Sequence, residues 1–449
     1  MDAGSLAGPC SGGHTIRPMS GLAKRNGGRA GLAALVLILA LGLGLRVNEA
    51  WDARDPVFDA AAYATIAANL DRGDGFTLGA RATQPASNYS PGLPLFVAGI
   101  YKLGGGVHER TARLALAVLG TLAVAFTYLI GRRLSGPAAG LIGAAAIAIY
   151  PALLEYQGML MSEPLAAALL SGAVLAMLWA SDDGQAWRWL LPGALLGALT
   201  LVRPEYLGVA LLVSLVVLAK NWRDGWQRAL VPSLLVLAGV AVIVAPWTVR
   251  NAIALDRFVP VSTGGGQVLF AGTYLPSDGD PEKVGAEVVA RHPQLFGARA
   301  VQQLRLEQIL ARLAAQRYPG VETDKALSRM GREQLWDDIS EEPLEYAGFV
   351  ATKVGRIWSH GPRNVMRQPG WELLHWALVA FGLVGLVVLA FQRRWEALLI
   401  ATIFVAITVL SILLVASPRR VLVMMPLVAA LAGVGVIAAY DLCRQRIRL

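Results

Sequence analysis

Two cysteines in 449 residues, Cys10 and Cys443 at opposite ends of the chain, give no disulfide framework and no thiolate metal site to argue from. Histidine is also scarce. His14, His108, His292, His360 and His375 are scattered, without the H-x-x-H or paired-carboxylate spacing of a zinc site. Charge is thin at 16%, where a soluble domain carries about a quarter. No repeat of fixed period occurs, which argues against the two-fold architecture of many transporters. The glycine run Gly264-Gly265-Gly266 lacks the GK[ST] ending of a phosphate-binding loop, and reads as a place of tight turning or close approach.

What is abundant is apolar: 55% of the residues, in uninterrupted runs rather than stripes. Such runs belong in lipid, where a helix satisfies its own backbone. The net charge of +9, from 40 Lys+Arg against 31 Asp+Glu, does not point to nucleic acid, because the charges flank the apolar runs and carry a topology signal. The chain reads as an all-α polytopic membrane protein. Its candidate spans are 30–46, 111–132, 137–152, 159–180, 187–202, 204–219, 228–249, 370–391, 395–416 and 419–440, about ten in all.

With a cytoplasmic N-terminus, every second loop is basic: Arg132 and Arg133, Arg188, Lys220 with Arg223 and Arg228, Arg393 and Arg394, then Arg444, Arg446 and Arg448. Both termini are then cytoplasmic, in a plasma (inner) membrane protein. Residues 1–29, rich in Gly, Ser and Pro, read as a disordered cytoplasmic tail. A cleaved signal peptide cut near Ala50 competes with a retained anchor, which the long polar leader and the later spans favour. Residues 30–249 form a transmembrane module holding the first outer loop, 47–110. Residues 250–369 are an outer helical region, and 370–449 the last spans with a short cytoplasmic tail.

Within 47–110, Pro91–Leu103 is too short to span and reads as an interfacial helix. Within 250–369, the spacing predicts a helix over 300–317, with Val301, Leu304, Ile309 and Leu313 on one face, and others over 325–340 and 343–359. Residues 260–285 read as loop.

Polar chemistry concentrates on the outer side. Asp55-Pro56 is a helix-start signal, putting Asp59 one turn in and Tyr63 one turn further on the same face. Asp59 is either a carboxylate displayed for chemistry or a complement to the helix dipole. Glu163, Arg203-Pro204-Glu205, Arg250-Asn251 and Arg419-Arg420 stand at span ends on the same side. Boundary charges of this kind mark polar cavities, with interfacial snorkelling as the alternative. Arginines beside a carboxylate suit an anionic head group such as lipid phosphate, next to a general base.

The ordered segments resemble the lipid-linked-sugar glycosyltransferases of the GT-C fold, in the family 39-like group that includes protein O-mannosyltransferases and lipid A aminoarabinose transferases. They are Asp59…Tyr63…Ala67…Leu70, then Tyr89-Ser90-Pro91-Gly92-Leu93-Pro94, Tyr150-Pro151, Ser162-Glu163-Pro164 and Thr200-Leu201-Val202-Arg203-Pro204-Glu205. Pro246-Trp247-Thr248-Val249-Arg250-Asn251, Phe258-Val259-Pro260-Val261-Ser262-Thr263 and Arg420…Pro426 complete the set.

The resemblance implies transfer of a sugar from a polyprenyl-phosphate donor to an acceptor on the outer face, with inversion. Asp59 would be the general base. Tyr63, Tyr89, Glu163, Arg203, Glu205, Arg250, Asn251 and Arg420 would line the substrate site, and Arg203, Arg250 and Arg420 would offset the leaving phosphate. Implied partners are that donor, membrane lipid, and a protein, lipid or polysaccharide acceptor. No cofactor is expected. Ala60 stands where many relatives carry a second acid, which weakens the case for a divalent metal. A lipid-linked-sugar transporter or flippase, or a non-catalytic envelope-assembly subunit, are the rival readings.

Overall fold

The computed structural model describes residues 27–51, 55–79, 85–182, 184–222, 225–278, 280, 282–297, 300–359 and 361–447. Most of the expected tail 1–29 lies outside the described residues, as do Asp52, Arg223, His360 and Arg448. No named strand occurs among the described residues; there is one isolated bridge, Thr77 to Pro85.

The chain begins with α1 (Gly27–Trp51), α2 (Asp59–Arg72), α3 (Gly92–Gly104), α4 (Glu109–Ser135), α5 (Pro137–Ala148), α6 (Pro151–Gly158), α7 (Glu163–Asp182), α8 (Leu190–Val202), α9 (Tyr206–Asn221) and α10 (Trp226–Leu255). A region of shorter helices follows: α11 (Gly265–Thr273), α12 (Val284–Arg291), α13 (Ala300–Gln303), α14 (Leu306–Arg317), α15 (Thr323–Glu341) and α16 (Pro343–Ser359). The chain closes with α17 (Pro369–Phe391), α18 (Trp395–Leu413) and α19 (Arg419–Ile447).

Seven of these helices are long and apolar enough to cross a membrane, and the bent pair α5–α6 makes up to eight. The shorter apolar helices α8 and α9 join the same bundle, packing on α10 and on each other. The protein is a multi-pass membrane protein.

The most enclosed span is α19, packed against α17, α5, α4 and α7. Glycine makes this approach possible. A Cβ at Gly433 would lie 2.1 Å from the Ala139 carbonyl oxygen, and one at Gly385 2.1 Å from that of Leu431. Small residues at helix crossings are the usual route to close packing in lipid, where no hydrophobic force drives helices together.

The expected span over 137–152 is broken. Helices α5 and α6 meet at 48°, because Pro151 holds the preceding Tyr150 in an extended conformation. The carbonyls freed at the end of α5 are met from α1: Arg46 donates to Ile147 and Ala148, each at 3.1 Å. A buried cation at a helix C-terminus answers both the orphan carbonyls and the dipole.

Four further expectations are corrected. The helix forecast from Asp55-Pro56 begins at Asp59 instead, because Phe58 sits at φ +50°, which no right-handed helix can contain. Residues 260–285 are not all loop, since α11 and α12 start within them. The helix expected over 300–317 breaks between α13 and α14, so Val301 is exposed while Ile309 and Leu313 are buried. Helix α10 runs on to Leu255, placing Arg250 and Asn251 inside it. The region after α10 has its own apolar cluster, including Phe270, Val288, Leu310 and Leu327.

Candidate active site

Four helix ends bring the charged residues together. Asp59 is the first residue of α2, and Glu163 the first of α7, with Pro164 next. Arg203 falls just past α8, extended because Pro204 follows. Arg419 opens α19 after Pro418. Acids at helix starts meet the positive end of the dipole, so Asp59 and Glu163 are placed where a carboxylate is tolerated.

Arg419 is the hub. Its Nη1 donates to Asp59 Oδ2 at 3.0 Å and its Nε to Glu163 Oε1 at 2.6 Å. Its guanidinium also lies 5.6 Å from the centroid of the Tyr156 ring. Arg203 Nη2 donates to the same Glu163 oxygen at 2.9 Å, and its Nη1 faces Glu205 at 3.5 Å. Arg420 reaches Glu205 at 3.7 Å and donates to the Val415 carbonyl. Three carboxylates thus face three guanidiniums before any ligand arrives.

The two carboxylates of this hub differ in access. Glu163 is fully enclosed, whereas the Asp59 side chain is 45% exposed. Asp59 therefore keeps an oxygen open to solvent, while Glu163 holds both Arg203 and Arg419. The Nε of Arg203 is buried without a hydrogen-bond partner, and the buried Nε of Arg420 makes no hydrogen bond but faces the Glu205 carboxylate at 3.7 Å. Buried donors normally find acceptors, so the Arg203 Nε is the donor left wanting one.

Tyr63 stands one turn from Asp59 and meets Tyr89 edge-on, ring centroids 5.8 Å apart. Burial, and then the Asp59 charge, push both hydroxyls above their ordinary range, so they stay protonated donors. Ser87 is tied to Thr263 through a backbone bond of 2.6 Å and a hydroxyl contact of 3.0 Å. Gly264, at φ +93°, turns the chain into α11, where Gly266 lies against Asp324.

Not every expected residue joins. Arg250 stacks on Trp247 and Phe76, 4.8 and 5.5 Å from the ring centroids. Asn251 is buried, donating to the carbonyls of Val259 and Val261 at 3.0 and 2.9 Å. Asn251 fastens the 259–263 strap and Arg250 donates to Asn251 Oδ1 at 3.0 Å; neither enters the ion cluster. Conversely, Arg419 belongs at the centre although Arg420 is the arginine singled out from the sequence. The Glu155–Arg363 pair at 2.5 Å, next to Tyr156, is a further addition.

A divalent cation does not fit these residues. The position beside Asp59 is Ala60, buried in the core, and Asp59 and Glu163 are already cross-bridged by Arg419. No group of three or more His, Cys, Asp or Glu gathers among the described residues.

Residues 87–249 match the protein family described as dolichyl-phosphate-mannose-protein mannosyltransferase. In overall structure the chain is similar to the archaeal oligosaccharyltransferase AglB from Archaeoglobus fulgidus, in complex with an inhibitory peptide and a dolichol-phosphate, with a TM-score of 0.56 and 16% identity over 92% of this chain. The same enzyme in its apo form gives 0.56 and 15% over 92%. The chain has the GT-C fold. It spans about half, 50%, of the length of that oligosaccharyltransferase in both comparisons. ArnT from Cupriavidus metallidurans bound to undecaprenyl phosphate aligns at a TM-score of 0.41 and 16% identity, over 89% of this chain and 77% of that one, too loosely to argue from. No curated protein matches in sequence. The family match takes in Tyr89, Glu163, Arg203 and Glu205 of this GT-C chain but starts after Asp59 and ends just before Arg250.

Proposed function

We propose that this GT-C protein is a membrane glycosyltransferase that moves a sugar from a polyprenyl-phosphate donor to an acceptor hydroxyl on the extracytoplasmic face. The observation that carries the reading is the Asp59–Arg419–Glu163 bridge beside Arg203 and Arg420, whose buried Nε atoms make no hydrogen bond.

The acceptor hydroxyl gives its proton to Asp59 as its oxygen bonds to the anomeric carbon. The bond from that carbon to the phosphate oxygen breaks, and its electron pair leaves with the phosphate. Attack opposite the leaving group inverts the anomeric centre. The phosphate gains a negative charge, which Arg203 and Arg420 meet through fixed donors. Arg419 and Glu163 are positioning residues, since they act through Asp59 and Arg203. Tyr63 and Tyr89 offer hydroxyls and ring edges to the sugar.

Basic residues cluster at the opposite end of the bundle: Arg133 pairs with Asp182, Arg188 stacks on Trp179, and Arg394 donates to the Leu134 carbonyl. By the positive-inside rule that end is cytoplasmic, with both termini there and the site on the outer face.

The test is to incubate the purified chain with a panel of polyprenyl-phosphate sugars and follow release or transfer of the sugar by mass spectrometry. Turnover of one donor supports the reading. Binding of every donor with turnover of none, across protein, lipid and polysaccharide acceptors, contradicts it.

A further inference from the structure

The region after α10 contains a cleft of about 420 Å3 between α11, α12, α14 and α15. Phe270 and Leu313 give it an apolar floor, and Gln316, Arg317 and Gln334 stand around it. Tyr274 is buried in its wall, stacked 5.4 Å from Phe270, and its hydroxyl has no hydrogen-bond partner. Nothing in the ion cluster at Asp59 uses these residues.

The lining limits what fits. His292 is the one strong metal-ligating side chain in the lining, with no carboxylate or thiolate beside it, so a metal ion lacks a ligand set there. Its imidazole adds a further hydrogen-bonding group. A single arginine is a poor match for a polyphosphate, and a lipid tail would leave the Gln316 amide, the Arg317 guanidinium and a buried hydroxyl without partners. A sugar answers the whole set. It presents an apolar face to the floor, and hydroxyls that both donate and accept to the amides, the guanidinium and Tyr274.

The apolar floor of the cleft adjoins the reaction site through Val415. That residue packs against the cluster holding Phe270, Tyr274 and Leu313, and its carbonyl accepts from Arg420. Helix α11, which gives the cleft Phe270, starts two residues after Thr263, whose hydroxyl meets Ser87, itself two residues before Tyr89.

We propose that the cleft is a saccharide subsite, and that the acceptor is a glycan chain whose far sugars rest there while its reacting hydroxyl meets Asp59. This rests on the transferase reading above and names its acceptor class.

The test uses the full chain in detergent on an array of linear oligosaccharides, neutral and uronate, from one to six sugars long. Binding is expected to rise with chain length. Tyr274→Phe, which removes only the hydroxyl, and the exposed pair Gln316→Ala/Arg317→Ala are each expected to weaken it at least tenfold, with melting temperature unchanged. Retention of no oligosaccharide, or equal retention by wild type and both variants, overturns the subsite. Cleavage of the polyprenyl-phosphate sugar by wild type, followed in parallel without any acceptor, reports on the transferase reading alone. Cleavage without cleft-dependent binding therefore removes the subsite and leaves the enzyme standing.

Discussion

Arg419 holds Asp59 and Glu163 on one guanidinium, at 3.0 and 2.6 Å, although the three residues lie on three different helices. The planar fork of arginine makes this possible. Lysine, a point charge on a flexible stem, cannot hold both acids in fixed geometry. Arg419→Lys is therefore expected to lower the transfer rate by about 10²-fold, the scale of a small misplacement of a reacting group. Glu163→Gln leaves Arg203 and Arg419 without their buried counter-charge, and is expected to cost ~3–5 kcal/mol of stability. Activity and thermal melting of the two variants and their combination check this; additive effects would show that the bridge is not a unit.

Arg203 and Arg420 are predicted to bind the donor phosphate. Replacing either with glutamine is expected to raise the donor KM or Kd at least tenfold, one charge-assisted bond being worth ~1.5–3 kcal/mol. Binding of a polyprenyl phosphate without sugar, measured by native mass spectrometry, should weaken in parallel. If only the sugar-bearing lipid is affected, the arginines contact the sugar instead.

The membrane-spanning helical class was legible in the sequence because a run such as that of α4 or α7 needs no tertiary information. The count of about ten was not met: seven helices, or eight with the bent pair, are long and apolar enough to cross, and α8 and α9 are shorter. The break at Tyr150-Pro151 was not legible, since the carbonyls it frees are satisfied by Arg46, about a hundred residues earlier. Helix α11 hid behind Gly264–Gly266, which reads as loop until Asp324 is seen packed on Gly266. The shared side of Asp59, Glu163 and Arg203 followed from alternating loop charge. The choice between Arg419 and Arg420 could not, because neighbours on a helix point about 100° apart and only the packing of α19 decides which one faces Asp59. Phe58 likewise gives no local signal of its positive φ.

Lys353 joins the region after α10 to the turn leading into Arg419. Its ammonium donates to the carbonyls of Gly272, at 2.6 Å, Leu414, at 2.8 Å, and Ile412. Lys353→Met removes all three bonds at once. It is expected to destabilise the protein by ~3 kcal/mol, the scale of a few orphaned buried acceptors, and to depress transfer through the loosened 414–418 turn. Unchanged melting would show that the carbonyls find other donors.

Asp338 gives the pH dependence. Burial first, then the charges of Asp337, Glu342, Glu345 and Glu341, push its carboxyl up from the ordinary 3.8 to about 6. The folded state then holds the proton more tightly than the unfolded chain, so its contribution to stability is full below pH ~4 and is lost as pH rises through 6. Asp338→Asn should accordingly raise the melting temperature at pH 7.5 and leave it unchanged at pH 4. A gain at pH 4 as large as at pH 7.5 would point to packing rather than charge.

The role of Asp59 is tested most directly by comparing wild type with Asp59→Asn under single-turnover conditions, using whichever polyprenyl-phosphate sugar the wild type consumes. Asparagine keeps the shape and cannot take a proton. Transfer is expected to slow by ~10²–10⁴-fold, the range for loss of a general base, with donor binding and melting temperature retained. Transfer within a few-fold of wild type would contradict that role and move the base to another residue.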